Sequence, residues 1–306
     1  GRWCFLSASR AWRCGLPAAV LRGGCIGEGR ARPVVRLLDE SGEAMNSPLQ
    51  KTQASALHED CLALQDAYAK TGKLNDLTHQ RLVREARKLC ALSSVSAWEG
   101  YRLLAALAAL KGQRRDCQTH YQAAEKLGVL SGIPLQNKIV SFLSLGLWDD
   151  AEALLPQVVA GIADAPMDVD YLAMTARIAW QLGKFDTLHT LVDAFDRRNL
   201  LDRLPIHPNT ITMACDLMAR HGVTEQAVFE RIAFATAQLF TRYSKPLGGF
   251  CCVVLPVGIR CQIVLPFASI AEVVEADFFL AEQMVAQFEH PLADLITLST
   301  TRSVEP

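Results

Sequence analysis

The sequence predicts a mainly helical protein, in which an array of antiparallel helical hairpins is followed by a small α+β module. Glycines recur every 34 to 40 residues, and apolar residues recur with a helical period around each one. Both patterns stop at the breaker cluster Lys245-Pro246-Leu247-Gly248-Gly249. We therefore expect an N-terminal extension over residues 1–45, a helical repeat domain over 46–245 and a C-terminal module over 246–306.

The recurring glycines define the repeat. They are Gly72, Gly112, Gly146, Gly183 and Gly222, and each follows one helical pattern and precedes another. Glycine suits the left-handed position that ends a helix. Apolar or small residues lie four, seven and eleven positions before most of these glycines, which marks one face of a first helix. Others lie five, nine and twelve positions after Gly112, Gly146 and Gly183, which predicts a second helix in each unit.

These units resemble the tetratricopeptide repeat. The resemblance is carried by the stretches LGLWDDAEALL and LGKFDTLHTLV and by Tyr101, Leu104, Ala105, Gly112, Cys117, Tyr121 and Ala124. It covers 130 to 190 residues, with spacing that drifts above the family's 34 and without the family's first-helix Trp or closing Pro. The resemblance implies stacked hairpins that form a superhelix. An irregular all-helical domain is the alternative.

In the resembled family, the first helix of each hairpin lines a concave groove that binds a protein segment. Mapping that inner face onto this chain selects polar and aromatic residues. They are Glu99, Arg102, Gln136, Asp170, Arg177, Trp180, Gln181, Asn209, Asp216 and Arg220. Such side chains anchor peptides through ion pairs, stacking and backbone hydrogen bonds. The resemblance therefore implies a non-enzymatic scaffold or adaptor with a protein or peptide partner. Ordinary solvated helix positions are the alternative.

The C-terminal module has its own pattern. Residues 250–255 and 259–265 are rich in β-formers, and Pro256-Val257-Gly258 between them indicates a hairpin. Residues 268–288 predict a helix with one apolar face, and residues 294–300 a third strand. Three strands and one helix are marginal alone, so we expect the module to cap the last repeat. The module contains two basic residues, Arg260 and Arg302, and seven acidic residues, and this negative charge disfavours nucleic acid binding.

The extension before Met45, the first methionine, contains seven Arg and no Lys. We expect translated upstream sequence that is disordered; a mitochondrial transit peptide is the alternative.

Elsewhere no apolar run is long enough to span a membrane, and the formal net charge is −1. We therefore expect a cytoplasmic protein that does not bind membranes, and the charge balance disfavours binding of nucleic acid.

The ten cysteines include no C-x-x-C pair and no zinc-ligand spacing, which predicts free thiols in a reducing compartment. A redox or disulfide role for Cys252 and Cys261 is the alternative, and it requires both on one face of a hairpin.

No sequence motif indicates catalysis, a metal or a cofactor. Two other functions stay open. The segment 214–234 is similar to a helix-turn-helix around Gly222, although Glu225 and Glu230 on its second helix would repel phosphate. An enzyme with its site between the array and the C-terminal module is the other, and a deep polar pocket there would favour it.

Overall fold

A computed structural model describes residues 48–164, 168–290 and 292–302. The predicted extension over residues 1–45 lies outside these residues. The described elements include eleven α-helices, one short 3₁₀-helix over Leu201–Arg203, and three strands. In chain order they are α1 (Pro48–Thr71), α2 (Asp76–Cys90), α3 (Ser94–Leu110), α4 (Arg114–Leu127), α5 (Ile133–Ser144), α6 (Trp148–Asp164), α7 (Val169–Gln181), α8 (Phe185–Asp196), α9 (Pro208–His221), α10 (Glu225–Tyr243), β1 (Gly249–Leu255), β2 (Gly258–Val264), α11 (Ile270–Gln287) and β3 (Ile296–Thr301).

Each recurring glycine lies between two helices in the left-handed region, as its spacing predicts. The turn at Gly146 shows the hydrogen bonds that end such a helix. Its φ is 67°, its N–H donates to Leu143 O over 3.1 Å, and the N–H of Leu147 donates to Phe142 O over 2.9 Å. This pattern satisfies carbonyls that the end of α5 would otherwise leave unpaired.

The apolar positions flanking these glycines form the core. Cys117, Tyr121 and Ala124 of α4 are buried, as are Ala151 and the equivalent positions of α6. In the last unit the buried positions of the second helix are shifted by one residue. Val228 and Ile232 are buried there, whereas Ala227 and Arg231 are half-buried. The buried side of α10 is shifted because this helix packs across the turns of the preceding hairpins.

Helix α10 lies across the turns of the preceding hairpins. Its Val228 and Ile232 face Gly183, its Thr236 and Phe240 face Gly146, and the residues that follow it, Ser244 and Pro246, face Gly112. Further along the chain, Pro266 and Phe267 face Gly72. The C-terminal part of the chain thus passes the four turns in reverse order. At Gly72, Gly112 and Gly146 a Cβ would meet the crossing segment too closely, so glycine is required there, whereas at Gly183 the nearest atom, Val228 Cγ1, is at an ordinary contact distance of 3.4 Å.

The turn at Gly146 shows how close this approach is. A Cβ there would lie 2.8 Å from Arg114 Nη2, 3.1 Å from Phe240 Cβ and 3.2 Å from Thr236 O. Gly222, whose turn leads into α10 itself, has no neighbour within 4 Å of the same position. The recurring glycine therefore ends a helix at every turn, and at Gly72, Gly112 and Gly146 it also leaves room for the crossing segment.

The C-terminal module is a three-stranded sheet covered by α11. Strands β1 and β2 are antiparallel around the predicted hairpin, and β3 returns parallel to β2 after α11. The β-β-α-β order is confirmed, and β3 begins at Ile296, two residues after the predicted start.

The module does more than cap the last repeat. Phe250 of β1 packs edge-to-face on Trp148 of α6, with ring centroids 5.6 Å apart. Tyr68 of α1 donates a hydrogen bond over 3.2 Å to the carbonyl oxygen of Pro246, the first residue of the predicted module. Residues of the module share one continuous buried cluster with helices α3 to α10. The expected cap is therefore too narrow a description, because contacts extend from the first helix to the last.

Candidate protein-binding surfaces

The predicted groove residues divide into accessible and buried sets. Asp170, Asn209, Asp216 and Arg220 are exposed on α7 and α9, and Arg177 and Gln181 of α7 are partly exposed. The Nε of Arg220 donates to Asp216 O within the same helix over 3.3 Å. These six residues can contact a partner without rearrangement of the fold.

Two predicted groove residues require correction. Gln136 is 2% exposed, and its amide donates to Tyr171 O and to Thr175 Oγ1, each over 2.8 Å. Trp180 is 5% exposed and packs edge-to-face on Phe185. Both side chains join neighbouring helices, so neither is available to a partner. The periodicity placed them on the inner face, but in this chain that face is covered by the next helix.

The remaining two predicted residues, Glu99 and Arg102, lie on α3 and pair with each other over 3.0 Å. The guanidinium of Arg102 also stacks on Trp98, 4.5 Å from the ring centroid. Trp98 lines a depression of about 180 Å³ with Ser94, Val95, Leu127 and Gly128. Several exposed apolar side chains belong to this region of α3 and α4. We define the Trp98 patch as Leu92, Val95, Trp98, Leu127 and Val129.

Helix α11 presents a longer apolar surface. We define the α11 stripe as Ile270, Val274, Phe278 and Val285, which are 75%, 49%, 71% and 71% exposed. At 100° per residue, these four positions fall within an arc of about 80°. The stripe extends along about 22 Å of the helix. It is a continuous face of large apolar side chains that nothing in the described part of the chain covers.

A neighbouring face of α11, centred about 120° from the stripe on the helical wheel, packs on the protein. Ala276, Leu280 and Met284 are buried at the i, i+4, i+8 spacing of a core-facing helix. The apolar face that the sequence predicts comprises Ile270, Val273, Val274, Ala281, Met284, Val285 and Phe288, and only part of it is buried: Met284 is in the core, whereas Ile270, Val274 and Val285 are exposed. Apolar residues occur almost all round α11, so periodicity alone does not select the buried side. A helix that is apolar on both faces normally has partners on both.

The start of α11 is fixed by its first turn. Ser269 caps the helix by accepting from the N–H of Glu272, and the Glu272 carboxylate accepts from the N–H of Ser269. The hydrogen bond from the Ser269 backbone N–H, followed by the interaction with the Ser269 hydroxyl, lowers the pKa of the Glu272 carboxyl from its ordinary value. The capping box holds the exposed stripe on a regular helix and keeps a negative charge at its beginning.

Acidic residues accompany the stripe. Helix α11 contains Glu272, Glu275, Asp277 and Glu282 and no Lys or Arg. The side chain of Asp277 is occupied, because its Oδ1 accepts from the N–H and the hydroxyl of Thr300 on the outer strand β3. Glu275 and Glu282 fall beside the stripe on the helical wheel, and we call them the acidic rim. Arg242 approaches Glu275 to only 4.0 Å.

The junction between α9 and the segment before β3 holds a depression of about 310 Å³. Its polar residues, His221, His290 and Asp294, are exposed, and most of the remaining lining is apolar. Among the described residues, no group of three or more His, Cys, Asp or Glu is arranged to hold a metal ion. The depression is open and lacks a nucleophile beside a base, so it does not match the deep polar pocket that an enzyme at this junction would need.

The helix-turn-helix interpretation depends on α10 as a recognition helix. Val228, Phe229 and Ile232 of α10 are buried. Gln226 accepts a hydrogen bond from Lys184, and Glu225 accepts from the backbone N–H of Asp186. Helix α10 makes these contacts at the turns that it crosses. Insertion of the helix into a DNA groove would have to break them.

Comparison with known proteins adds no assignment. The chain matches no protein-family model, no curated protein and no solved structure. Among the helices of the described ranges, none combines the length and the apolarity needed to cross a bilayer. The function must therefore be inferred from the surfaces themselves.

Proposed function

We propose that this chain is a protein-interaction module that binds a basic amphipathic helix of a partner on the α11 stripe. The observation that carries the proposal is the exposure of Ile270, Val274, Phe278 and Val285 along one face of a capped helix. Contiguous exposed apolar surface on soluble proteins marks interaction sites. A partner helix with apolar residues at i, i+3, i+4 and i+7 complements such a face.

The charges of α11 select the kind of partner. The acidic rim, Glu275 and Glu282, flanks the apolar contact, so Lys or Arg beside the partner's apolar face would gain favourable pairing. An acidic or anionic surface would meet repulsion at the same place. The exposed groove residues Asp216 and Arg220 remain a predicted second contact for a longer partner.

The same charges argue against a second copy of this chain as the occupant. If two copies of α11 packed stripe to stripe, two helices with four acidic side chains each and no Lys or Arg would lie against each other, and like charges at an interface weaken binding. We expect the isolated protein to be monomeric in analytical ultracentrifugation. A dimer that Phe278→Glu dissociates would assign the stripe to self-association and contradict the proposal.

A labelled, designed helical peptide tests the proposal. The peptide carries Leu on one face and Lys beside it, and a matched peptide carries Glu in place of Lys. Fluorescence anisotropy should show saturable binding of the Lys peptide, weakened by salt, and at least about tenfold weaker binding of the Glu peptide. Phe278→Glu should abolish binding, because it places a charge in the centre of the apolar contact.

Val129→Glu is the matched control. Val129 is 84% exposed, so it undergoes the same charge change on the other apolar surface, the Trp98 patch. Binding should be unchanged in this variant. Loss of binding in Val129→Glu but not in Phe278→Glu would move the site to the Trp98 patch. Partition of the chain onto neutral lipid vesicles, lost with Phe278→Glu and without peptide binding, would make the stripe a membrane contact and refute the proposal.

A further inference from the structure

Two cysteines face each other across the β1–β2 hairpin. Cys252 is the register partner of Cys261, and their Sγ atoms are 2.9 Å apart. A disulfide has an S–S length of about 2.05 Å and joins Cβ atoms about 3.5 to 4.5 Å apart, a separation close to that of directly opposed residues in an antiparallel pair. The two sulfur atoms need to approach by less than about 1 Å to bond.

The surroundings give the two thiols different access. Cys261 is fully buried, whereas Cys252 on the edge strand β1 is partly exposed. Both belong to the face of the sheet that also carries Phe250 and Ile263, which are buried. Burial, together with the neighbouring Cys261 thiol, raises the pKa of Cys252 well above its usual value. The thiol form is therefore favoured in the resting protein, and reaction at Cys252 requires an oxidant small enough to reach it.

The adjacent Cys251 differs from Cys252 in its position on the sheet. Side chains alternate along a strand, so Cys251 lies on the opposite face of the sheet from Cys252, and its register partner is Gln262. It is partly exposed, as Cys252 is. Only Cys252 has a cysteine directly across the ladder. Exposure alone would make both reactive, whereas geometry singles out one pair.

We infer that Cys252 and Cys261 are a modification site at which a hydroperoxide forms a reversible disulfide. The Cys252 thiol loses its proton, the thiolate attacks one oxygen of hydrogen peroxide, the O–O bond breaks, and the hydroxide that leaves takes up that proton to become water. The Cys261 thiol then attacks the resulting Cys252 sulfenic acid, the S–O bond breaks and a second water leaves. Two thiols are oxidised by two electrons, and one hydrogen peroxide is reduced. A dithiol reverses the reaction by exchange.

Peptide mapping of the full chain tests this inference. Arg260 lies between the two cysteines, so trypsin places Cys252 in residues 243–260 and Cys261 in residues 261–302. After treatment with hydrogen peroxide and alkylation of the remaining thiols in denaturant, mass spectrometry should find these two peptides joined, with the loss of two hydrogens. Dithiothreitol should restore both free peptides.

Two variants separate the pair from its neighbour. Cys251→Ser should keep the joined peptides, because Cys251 lies on the other face. Cys252→Ser should abolish them, and its unchanged circular dichroism would show that the loss is not unfolding. The inference is overturned if both thiols of the folded protein are still alkylated after peroxide, if Cys252 stops at a sulfinic or sulfonic acid, or if the link requires Cys251. This test is independent of peptide binding by α11.

Discussion

At the scale of single residues, cations hold α10 against the turns. Lys184, next to the turn glycine Gly183, is only 8% exposed; it pairs with Glu152 of α6, and its Nζ lies 4.7 Å from the ring centroid of Phe229 on α10. Arg114 follows Gly112 and stacks on Phe240, 3.9 Å from the centroid. Burial lowers the pKa of Arg114 from its ordinary value. Both cations therefore lie against aromatic rings of the same helix, α10.

Glu152→Gln tests the contribution of this buried pair. The substitution leaves the Lys184 ammonium with weaker partners, Gln226 at 3.2 Å and Glu225 at 3.9 Å. We expect the free energy of unfolding to fall by about 1–3 kcal/mol, because a buried charge loses its main partner. Chemical denaturation measures it. Asp60→Asn is the control, since its pair with Arg81 is half-exposed, and it should cost less than about 1 kcal/mol. Equal costs would contradict a structural role for Lys184.

At the scale of elements, the sequence predicted which segments are helices and strands better than it predicted what each one contacts. The hairpin turns, the end of α10 at Tyr243 and the β-β-α-β order all follow from local signals such as glycines, breakers and periodicity. The position of α10 across the turns does not, because it depends on contacts distant in sequence. A signal was nevertheless present: nine residues after Gly112, Gly146 and Gly183 the chain has an apolar or aromatic residue, whereas Arg231 stands nine residues after Gly222, and Ile232 is buried in its place.

Alanine at the turn glycines tests the position of α10. Gly146→Ala and Gly222→Ala both place a Cβ at positive φ, which costs about 1–2 kcal/mol in each. Only Gly146→Ala also meets Phe240 and Thr236, and we expect it to lose about 1–3 kcal/mol more. Urea denaturation of the two variants gives the difference directly. Equal losses would mean that α10 does not lie on this turn in solution.

For the candidate sites too, the sequence predicted the polarity of residues on a helix better than it predicted what those residues contact. Polarity at the first-helix positions placed Asp216 and Arg220 on the surface, where they are found. It failed for Gln136, because a buried amide that satisfies a neighbouring helix has the same polarity as an exposed one. The α11 stripe was missed because apolar residues were assigned to the core. The sequence did contain a signal for the stripe, because α11 has more apolar residues than one small module can bury.

At the scale of the whole molecule, the C-terminal part of the chain joins the helical hairpins into one body. Contacts from Tyr68 to Pro246 and from Trp148 to Phe250 connect the beginning and middle of the helical region to the module. Among the described residues, most of the exposed large apolar side chains lie on two surfaces, α11 and the Trp98 patch, and a smaller group, Val253, Leu255 and Val257, lies at the β1–β2 hairpin. The longer of the two, with acidic residues beside it, is the one we propose to receive a partner.

Site-specific photo-crosslinking in the source cell tests this proposal most directly. A benzophenone amino acid replaces Phe278 on the stripe, Val129 on the Trp98 patch or Arg220 on the predicted groove, one at a time, in the full chain. We predict one dominant protein adduct from position 278, linked through a segment with apolar residues at helical spacing and Lys or Arg beside them. Adducts from position 129 or 220 alone, or from position 278 only to another copy of this chain, would contradict it.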